Sequence, residues 1–340
     1  MLGWLLPFDS TLANGVLIYA SLVALSWLYR RLVARPGLAH FRGQHVFITG
    51  GSQGLGLSLA ASFARLGANV TIVSRKLDVL NQAKAEIVKR CSASPGNVAD
   101  RVLPLACDVT QFEQVEKAVA QAAAHFKQPV HTLVACAGSA MPGRFVDQSV
   151  DDIKRMMDLN HHGCVHAAKA VVPGMLASSA KGRTLVFVNS GCGLTCFYGY
   201  AGYCASKWAQ RGFAEALRNE LVADGVRVCV YYPPNMDTPG FVEENKTKPK
   251  VTAEIEGSSG ILTPDQAAAI LMEGLASGND AVTADPLSEL ARIQSGSNAS
   301  PLNVFLDLAI LPISRIVWTG AYLFMNHVVR SAHRQQQKRD

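Results

Sequence analysis

The stretch His45-Val46-Phe47-Ile48-Thr49-Gly50-Gly51-Ser52-Gln53-Gly54-Leu55-Gly56 runs from a short apolar segment straight into a glycine-rich turn. From Gly54 to Leu66, Leu, Ala and Phe recur at helical spacing, so the turn stands between a strand and a helix. Glycines at 50, 54 and 56 permit a tight bend, close backbone approach to a pyrophosphate, and close packing of helix on strand. The first N–H groups of the helix would face that anion. Glycine turns are common; the strand before this one and the helix after it make it a candidate dinucleotide site, with Gly50, Ser52, Gln53, Gly54, Leu55 and Gly56 as its residues.

Strands and helices then alternate along the chain. Strands are expected at Asn69–Ser74, Val102–Cys107, His131–Cys136, Thr184–Asn189 and Arg227–Tyr232. Helices are expected at Leu77–Arg90, Glu113–Phe126, Asp151–Ser178 and Tyr203–Ala223. Such alternation implies βαβ crossovers: an α/β domain, residues 43–285, with one doubly wound parallel sheet of the Rossmann type. Ligands of such sheets bind beyond the carboxyl ends of the strands. The second strand ends in Ser74-Arg75-Lys76, where an acidic residue would hold the ribose 2′-hydroxyl of NADH. Arg75 and Lys76 suit a 2′-phosphate instead, because a guanidinium pairs bidentately with phosphate oxygens, so NADPH is the expected cofactor.

The chemistry is expected at Tyr203-Cys204-Ala205-Ser206-Lys207. Residues four apart share a helix face, which turns a phenol and an ammonium into one volume. A neighbouring cation favours the tyrosinate and would make Tyr203 an acid at neutral pH. Alone, this spacing also describes a helix start with a solvated surface lysine. Thirteen positions upstream of Tyr203, after the run Thr184–Val188, comes Asn189-Ser190.

The glycine turn, Ser190, Tyr203 and Lys207 together resemble the short-chain dehydrogenase/reductase family over about residues 43–285. The resemblance implies hydride transfer from NADPH to a ketone. Tyr203 would donate the proton, Ser190 would bond the carbonyl oxygen, and Lys207 would hold the nicotinamide ribose and depress the Tyr203 pKa. Asn160 would hold a water beside Lys207 through its backbone carbonyl. By the same resemblance Asp108 and Val109 border the adenine, Asp108 serving equally as the N-cap of the next helix. Ala135-Cys136-Ala137-Gly138 stands where the family carries Asn-Asn-Ala-Gly; Ala137 and Gly138 keep the cofactor contact, while a steadying side-chain tie is lost. The loop at 233–249 contributes Pro233 and Thr238, and its Pro, Gly and Asn argue for an irregular lid. The string in that loop narrows the resemblance to membrane-bound members that act on long-chain keto bases. It implies reduction of 3-ketosphinganine to sphinganine on the cytosolic face of the endoplasmic reticulum. A steroid, retinoid or 3-ketoacyl reductase is the rival enzyme, and a silent dinucleotide-binding scaffold the rival outside enzymology. No metal is required, and His161 and His162 are expected to pack or face solvent.

The ends of the chain decide where such a body would work. Residues 11–29 are almost wholly apolar and lead into Arg30, Arg31 and Arg35. Nineteen residues just cross a bilayer core of about 30 Å, and the positive flank places the body of the chain in the cytoplasm. Residues 1–36 are therefore expected to form an anchor with a basic flank. Near the other end, 301–325 is apolar but interrupted by Asp307, Pro312 and Arg315, so a re-entrant or interfacial hairpin is expected there in preference to one kinked span, with an amphipathic core helix closing the substrate pocket or a dimer face as the alternative. Beyond it lies a basic tail, 326–340. The net charge of +6 is scattered, with no stripe for nucleic acid. Eight cysteines without metal spacing imply buried, reduced thiols, and a homo-oligomer is possible.

Overall fold

The computed structural model describes residues 37–257, 260–296 and 304–337, together with Ala20, Ser21, Ala24, Leu25 and Leu28 as helical positions. The rest of the expected anchor at 11–29 lies outside the described residues.

Seven strands form one parallel sheet: β1 (His45–Thr49), β2 (Asn69–Ser74), β3 (Val102–Ala106), β4 (Thr132–Ala135), β5 (Thr184–Val188), β6 (Arg227–Tyr232) and β7 (Ala281–Thr283). Their order is β3-β2-β1-β4-β5-β6-β7. The order reverses between β1 and β4, where Thr49 pairs with Ala135, and this is the switch point at which ligands of such folds bind. The helices are α1 (Gly54–Arg65), α2 (Leu77–Arg90), α3 (Phe112–Phe126), α4 (Val150–Met157), α5 (Gly163–Leu176), α6 (Ala201–Leu221), α7 (Pro239–Asn245), α8 (Lys250–Glu256), α9 (Pro264–Ser277), α10 (Pro286–Gln294) and α11 (Val304–Gln337).

The strands are mostly apolar because both faces of the sheet are covered. Val46, Ile48, Ile72, Val134 and Val186 point to one face and pack with Leu59 and Phe63 of α1, Leu80 and Ile87 of α2, and Leu271 and Leu275 of α9. Their neighbours Phe47, Val73, Leu133, Leu185 and Phe187 point to the other and meet Val115 of α3, Val171 of α5 and Ala214 of α6. This double layer holds the carboxyl ends of β1, β4 and β5 in a fixed relation.

Four expectations are corrected. Asp108 is not a helix N-cap: its Oδ1 accepts from the backbone N–H and the hydroxyl of Thr110, closing a turn, and α3 begins later with Gln111 at its N-cap. The helix expected at Asp151–Ser178 is α4 and α5 joined by a π-helical turn, Asp158–His162. The lid is not irregular. Pro239 serves at the start of α7, where its missing N–H is not needed, and Thr238 Oγ1 caps that helix by accepting from Phe241 N. The fourth correction concerns the C-terminal segment, which is no hairpin but one helix running through Pro312. Proline deprives the Leu308 carbonyl of its partner. Packing on α10 outweighs that loss: before the proline Asp307 accepts from Arg292 at 2.6 Å, and after it Ser314 donates to the Leu290 carbonyl at 2.6 Å.

Candidate active site

One cavity of about 1460 Å³ opens at the carboxyl ends of the strands. Gly50, Ser52, Gln53, Gly54, Leu55, Gly56, Arg75, Asp108, Val109, Ala137, Gly138, Ser190, Tyr203, Lys207, Pro233 and Thr238 all line it, so nearly every expected site residue converges there. Lys76 is not among the lining residues; it is exposed at the N-cap of α2. Asn160 lies behind the wall, fully buried.

The glycine turn is built for close approach. Gly50 has φ +68°, and a Cβ there would sit 2.9 Å from Ala137 Cα, so the β1 and β4 loops can meet only over a glycine. A Cβ on Gly56 would strike the Gly50 carbonyl oxygen. Gln53, at the N-cap of α1, makes no side-chain capping bond, leaving the first N–H groups of that helix without a side-chain cap at the cavity wall. Thr49 supplies a tie in place of the missing asparagine: its Oγ1 accepts from Cys136 N at 2.9 Å and from Ala137 N at 3.0 Å.

On α6, Tyr203 and Lys207 share one face, with Lys207 Nζ 5.8 Å from the phenol ring centre. Lys207 is buried, and Nζ donates to the Val188 carbonyl at 3.0 Å. Burial lowers the pKa of that ammonium. Burial also pushes the Tyr203 phenol well above its ordinary value, reinforced by the nearby Cys192 thiol and opposed by its hydrogen bond with Ser190. The direction is therefore set by desolvation of the charged form at this depth and not by the Lys207 ammonium expected to lower it. Tyr203 is protonated at neutral pH.

Around this pair lies a buried polar frame. Asn189 donates through Nδ2 to the Lys207 carbonyl at 2.9 Å and to Gln210 Oε1 at 2.8 Å, while its Oδ1 accepts from Ser190 N. The end of β5 is thereby fastened to α6, and Ser190 is fixed opposite Tyr203. Asn160 donates to the Ser139 carbonyl at 2.9 Å and to Ser206 Oγ at 3.0 Å, and accepts from Ser139 N. Its π-helical turn is the kind of local widening that accumulates at functional sites. A Cβ on Gly138 would lie 2.9 Å from Asn160 Oδ1 and 3.6 Å from Lys207 Nζ, so these two side chains meet over that glycine. Thr49, Asn189 and Gln210 were not marked by the sequence as site residues. Only the adjacency of Asn189 to Ser190 hinted at one of them.

His162 is exposed and pairs through Nδ1 with Asp158 Oδ1 at 2.9 Å, one helical turn away, and His161 packs edge-on against Phe213. Six of the eight cysteines are buried and all are free; Cys196 is exposed. The lid contributes Phe241, Glu244, Ile255 and Glu256 to the cavity. Lys248 ties Glu244 to Glu256 at 3.2 and 2.7 Å, and Tyr200 donates to Glu244.

A parallel sheet with a glycine turn at its switch point, a phenol and an ammonium beyond it, and no intervening domain defines a dinucleotide-dependent oxidoreductase. The short chain dehydrogenase family model matches residues 44–249, and the chain belongs to that family. It is 33% identical over 283 residues to a 3-ketodihydrosphingosine reductase of Dictyostelium discoideum, covering 81% of this chain and 85% of that one. It is 40% identical over 268 residues to a 3-ketodihydrosphingosine reductase of Bos taurus, covering 78% of each. Among solved structures it is similar to a short-chain type dehydrogenase/reductase from Mycobacterium marinum, with a TM-score of 0.63 at 24% identity over 73% of this chain and 96% of that one. That last likeness is one of fold. The cofactor is accordingly a nicotinamide dinucleotide, and the residues present fit one: side-chain-free backbone at Gly50 and Gly54, the uncapped start of α1, and Asp108 and Val109 all face the cavity.

Proposed function

We propose that this chain reduces the ketone of 3-ketosphinganine to the alcohol of sphinganine with NADPH, at the cytosolic face of the endoplasmic reticulum membrane. The name borne by its relatives from Dictyostelium discoideum and Bos taurus supports the substrate. Arg75, exposed at the end of β2 and lining the cavity, supports a 2′-phosphate in preference to a bare ribose. When bound, the nicotinamide supplies the hydride. Residues 43–285 form the catalytic domain, 1–36 the anchor and 326–340 a basic tail.

Each polar residue of the site then has a task. Ser190, held by Asn189 and by the bond from Cys192 N to its Oγ at 3.2 Å, presents its hydroxyl to the substrate carbonyl and stabilises the negative charge that grows there. Tyr203 gives its proton to that oxygen, and burial keeps the proton in place until the acceptor has become basic. Lys207 keeps a positive charge within reach of the resulting tyrosinate and orients the ribose. Asn160, fixed by Ser139 and Ser206, steadies the path by which Lys207 and Tyr203 regain protons from solvent.

One observation carries this assignment: Ser190, Tyr203 and Lys207 border the same cavity as the glycine turn. The test is NADPH oxidation by the full chain with 3-ketosphinganine, beside Tyr203→Phe and beside NADH. Turnover with NADPH that Tyr203→Phe lowers by about 10²–10⁴-fold, with cofactor binding kept, is expected. Equal turnover by the variant refutes the proton-donor role, and none by the wild type refutes the reaction.

A further inference from the structure

Among the described residues, the long helix α11 meets the cavity at Trp318 alone. Asp307, Ile310, Ser314, Trp318, Ala321, Met325 and Val328, none of them exposed, recur every three or four residues along one side, and Ala309, off that line, is buried as well. That stripe runs the helix along the body, where it packs against α10 and α8. Trp318 belongs both to the hydrophobic core and to the cavity wall, and its buried Nε1 donor finds no acceptor among the described residues.

Much of the remaining circumference is exposed and apolar. Leu308, Leu311, Ile313, Ile316, Leu323 and Phe324 are all exposed, Ile316 by 74%. Singly exposed aliphatics need no explanation, but a contiguous row of this size marks a binding surface. Its occupant can be read from charge. Between residues 308 and 335 there is no acidic side chain, while Arg315, Arg330 and Arg334 are exposed along it, which complements an anionic lipid surface.

By length and composition Asp307–Gln335 could cross a bilayer. Its packing argues otherwise. The helix packs on α10 and α8, with Trp318 and Ala321 in the core, and α8 carries the exposed charges of Lys250 and Glu254. An upright helix would drag those charges into hydrocarbon, whereas a helix lying flat sinks only its outer face. We infer that α11 lies in the plane of the bilayer surface, with Leu308, Ile316 and Leu323 in the lipid, and that a lipid substrate enters the cavity past Trp318. The second half of this statement rests on the proposed lipid reduction. A sphingoid chain then never has to leave the membrane wholly to reach Tyr203.

The experiment reads depth first and activity second. The full chain, with Cys196→Ser as background, is reconstituted into phosphatidylcholine–phosphatidylserine vesicles with an environment-sensitive fluorophore at Leu308→Cys, Ile316→Cys or Leu323→Cys. Quenching by lipids spin-labelled at defined depths gives the position of each. Residues 308 and 323 stand roughly 22 Å apart along a helix axis. A helix in the plane puts all three labels at one shallow depth, within roughly 5 Å of each other. Depths spread over roughly 20 Å mean a crossing helix and overturn the inference; labels that no lipid quencher reaches overturn it equally. The paired variant Ile316→Glu with Leu323→Glu should raise KM for vesicle-borne 3-ketosphinganine roughly tenfold or more and leave turnover of a short, water-soluble amino ketone unchanged. An unchanged KM for the vesicle-borne substrate overturns entry from the bilayer. If the wild type reduces neither ketone, the proposed reaction fails, and the depth measurement, which needs no turnover, still decides the orientation of α11.

Discussion

Lys207 Nζ donates to the carbonyl of Val188 at 3.0 Å, which ties the ammonium to the last residue of β5. An ammonium carries three donors, and this bond commits one of them to the scaffold. The lysine is thus aimed by a strand and not only by its own helix. Lys207→Ala removes the charge and also leaves a buried carbonyl without its partner. Activity should fall by about 10²–10⁴-fold, and stability by roughly 1–3 kcal/mol. Lys207→Met fills most of the volume without donating; it should lose as much activity while packing better. Steady-state kinetics beside urea unfolding separates the two effects, and activity retained by the Met variant would remove Lys207 from the mechanism.

Asn189 satisfies three partners at once, the Lys207 carbonyl, Gln210 and Ser190 N, at a site that is almost fully buried. Asn189→Ala leaves all three unpaired, and a buried unmet polar group costs about 1–3 kcal/mol. A loss of roughly 3 kcal/mol in urea unfolding is expected, since partial relaxation spares part of the sum. Because Ser190 loses its anchor, kcat should fall more than KM rises. Pure destabilisation with unchanged kcat would show that Asn189 holds the fold alone.

The strands were legible because a buried parallel strand must be apolar throughout, as Val46–Ile48 and Leu185–Val188 are. The glycine turn and the Tyr203–Lys207 pair were legible because each is local, set by spacing within one turn or one helical turn. What escaped is non-local. Thr49 reaches the amides of Cys136 and Ala137 almost ninety positions away, and nothing in the neighbourhood of a threonine announces that. The same holds for the bond from Asn189 to the Lys207 carbonyl. In α11, the helix-breaking preference of Pro312 is a local rule overruled by the Asp307–Arg292 and Ser314–Leu290 contacts on either side. The lid helices depend on the Thr238 cap and on Lys248 joining Glu244 to Glu256, and each pattern was too short to stand out among prolines and glycines. Strand β7, three residues long, gives no period to read.

Arg75 stands exposed where β2 ends, on the cavity wall. A guanidinium there distinguishes a 2′-phosphate from a hydroxyl by charge and by paired donors. Arg75→Asp should weaken NADPH binding by roughly 1.5–3 kcal/mol and leave NADH binding nearly unchanged or improved. Fluorescence titration of both cofactors measures this. An unchanged preference in the variant would place recognition of the phosphate elsewhere.

His45, fully buried on β1, is held by Thr71 Oγ1 at 2.9 Å and touches Phe126 edge-on. Burial pulls its pKa from 6.5 down to about 4. The neutral ring therefore belongs to the folded state, while the unfolded chain binds a proton near the ordinary histidine value. This contribution to stability is complete above pH 6.5 and is lost as the pH falls from there towards about 4. Between pH 7 and pH 5 the folded protein should lose about 2 kcal/mol through this group. His131 and His161 are lowered by burial as well and act in the same direction, so the wild-type slope alone does not isolate His45. His45→Gln keeps a polar partner for Thr71 and removes the titration. Urea unfolding at both pH values should show a shallower loss in the variant than in the wild type. Equal slopes in the two proteins would mean that His45 does not drive the acid sensitivity of the sheet.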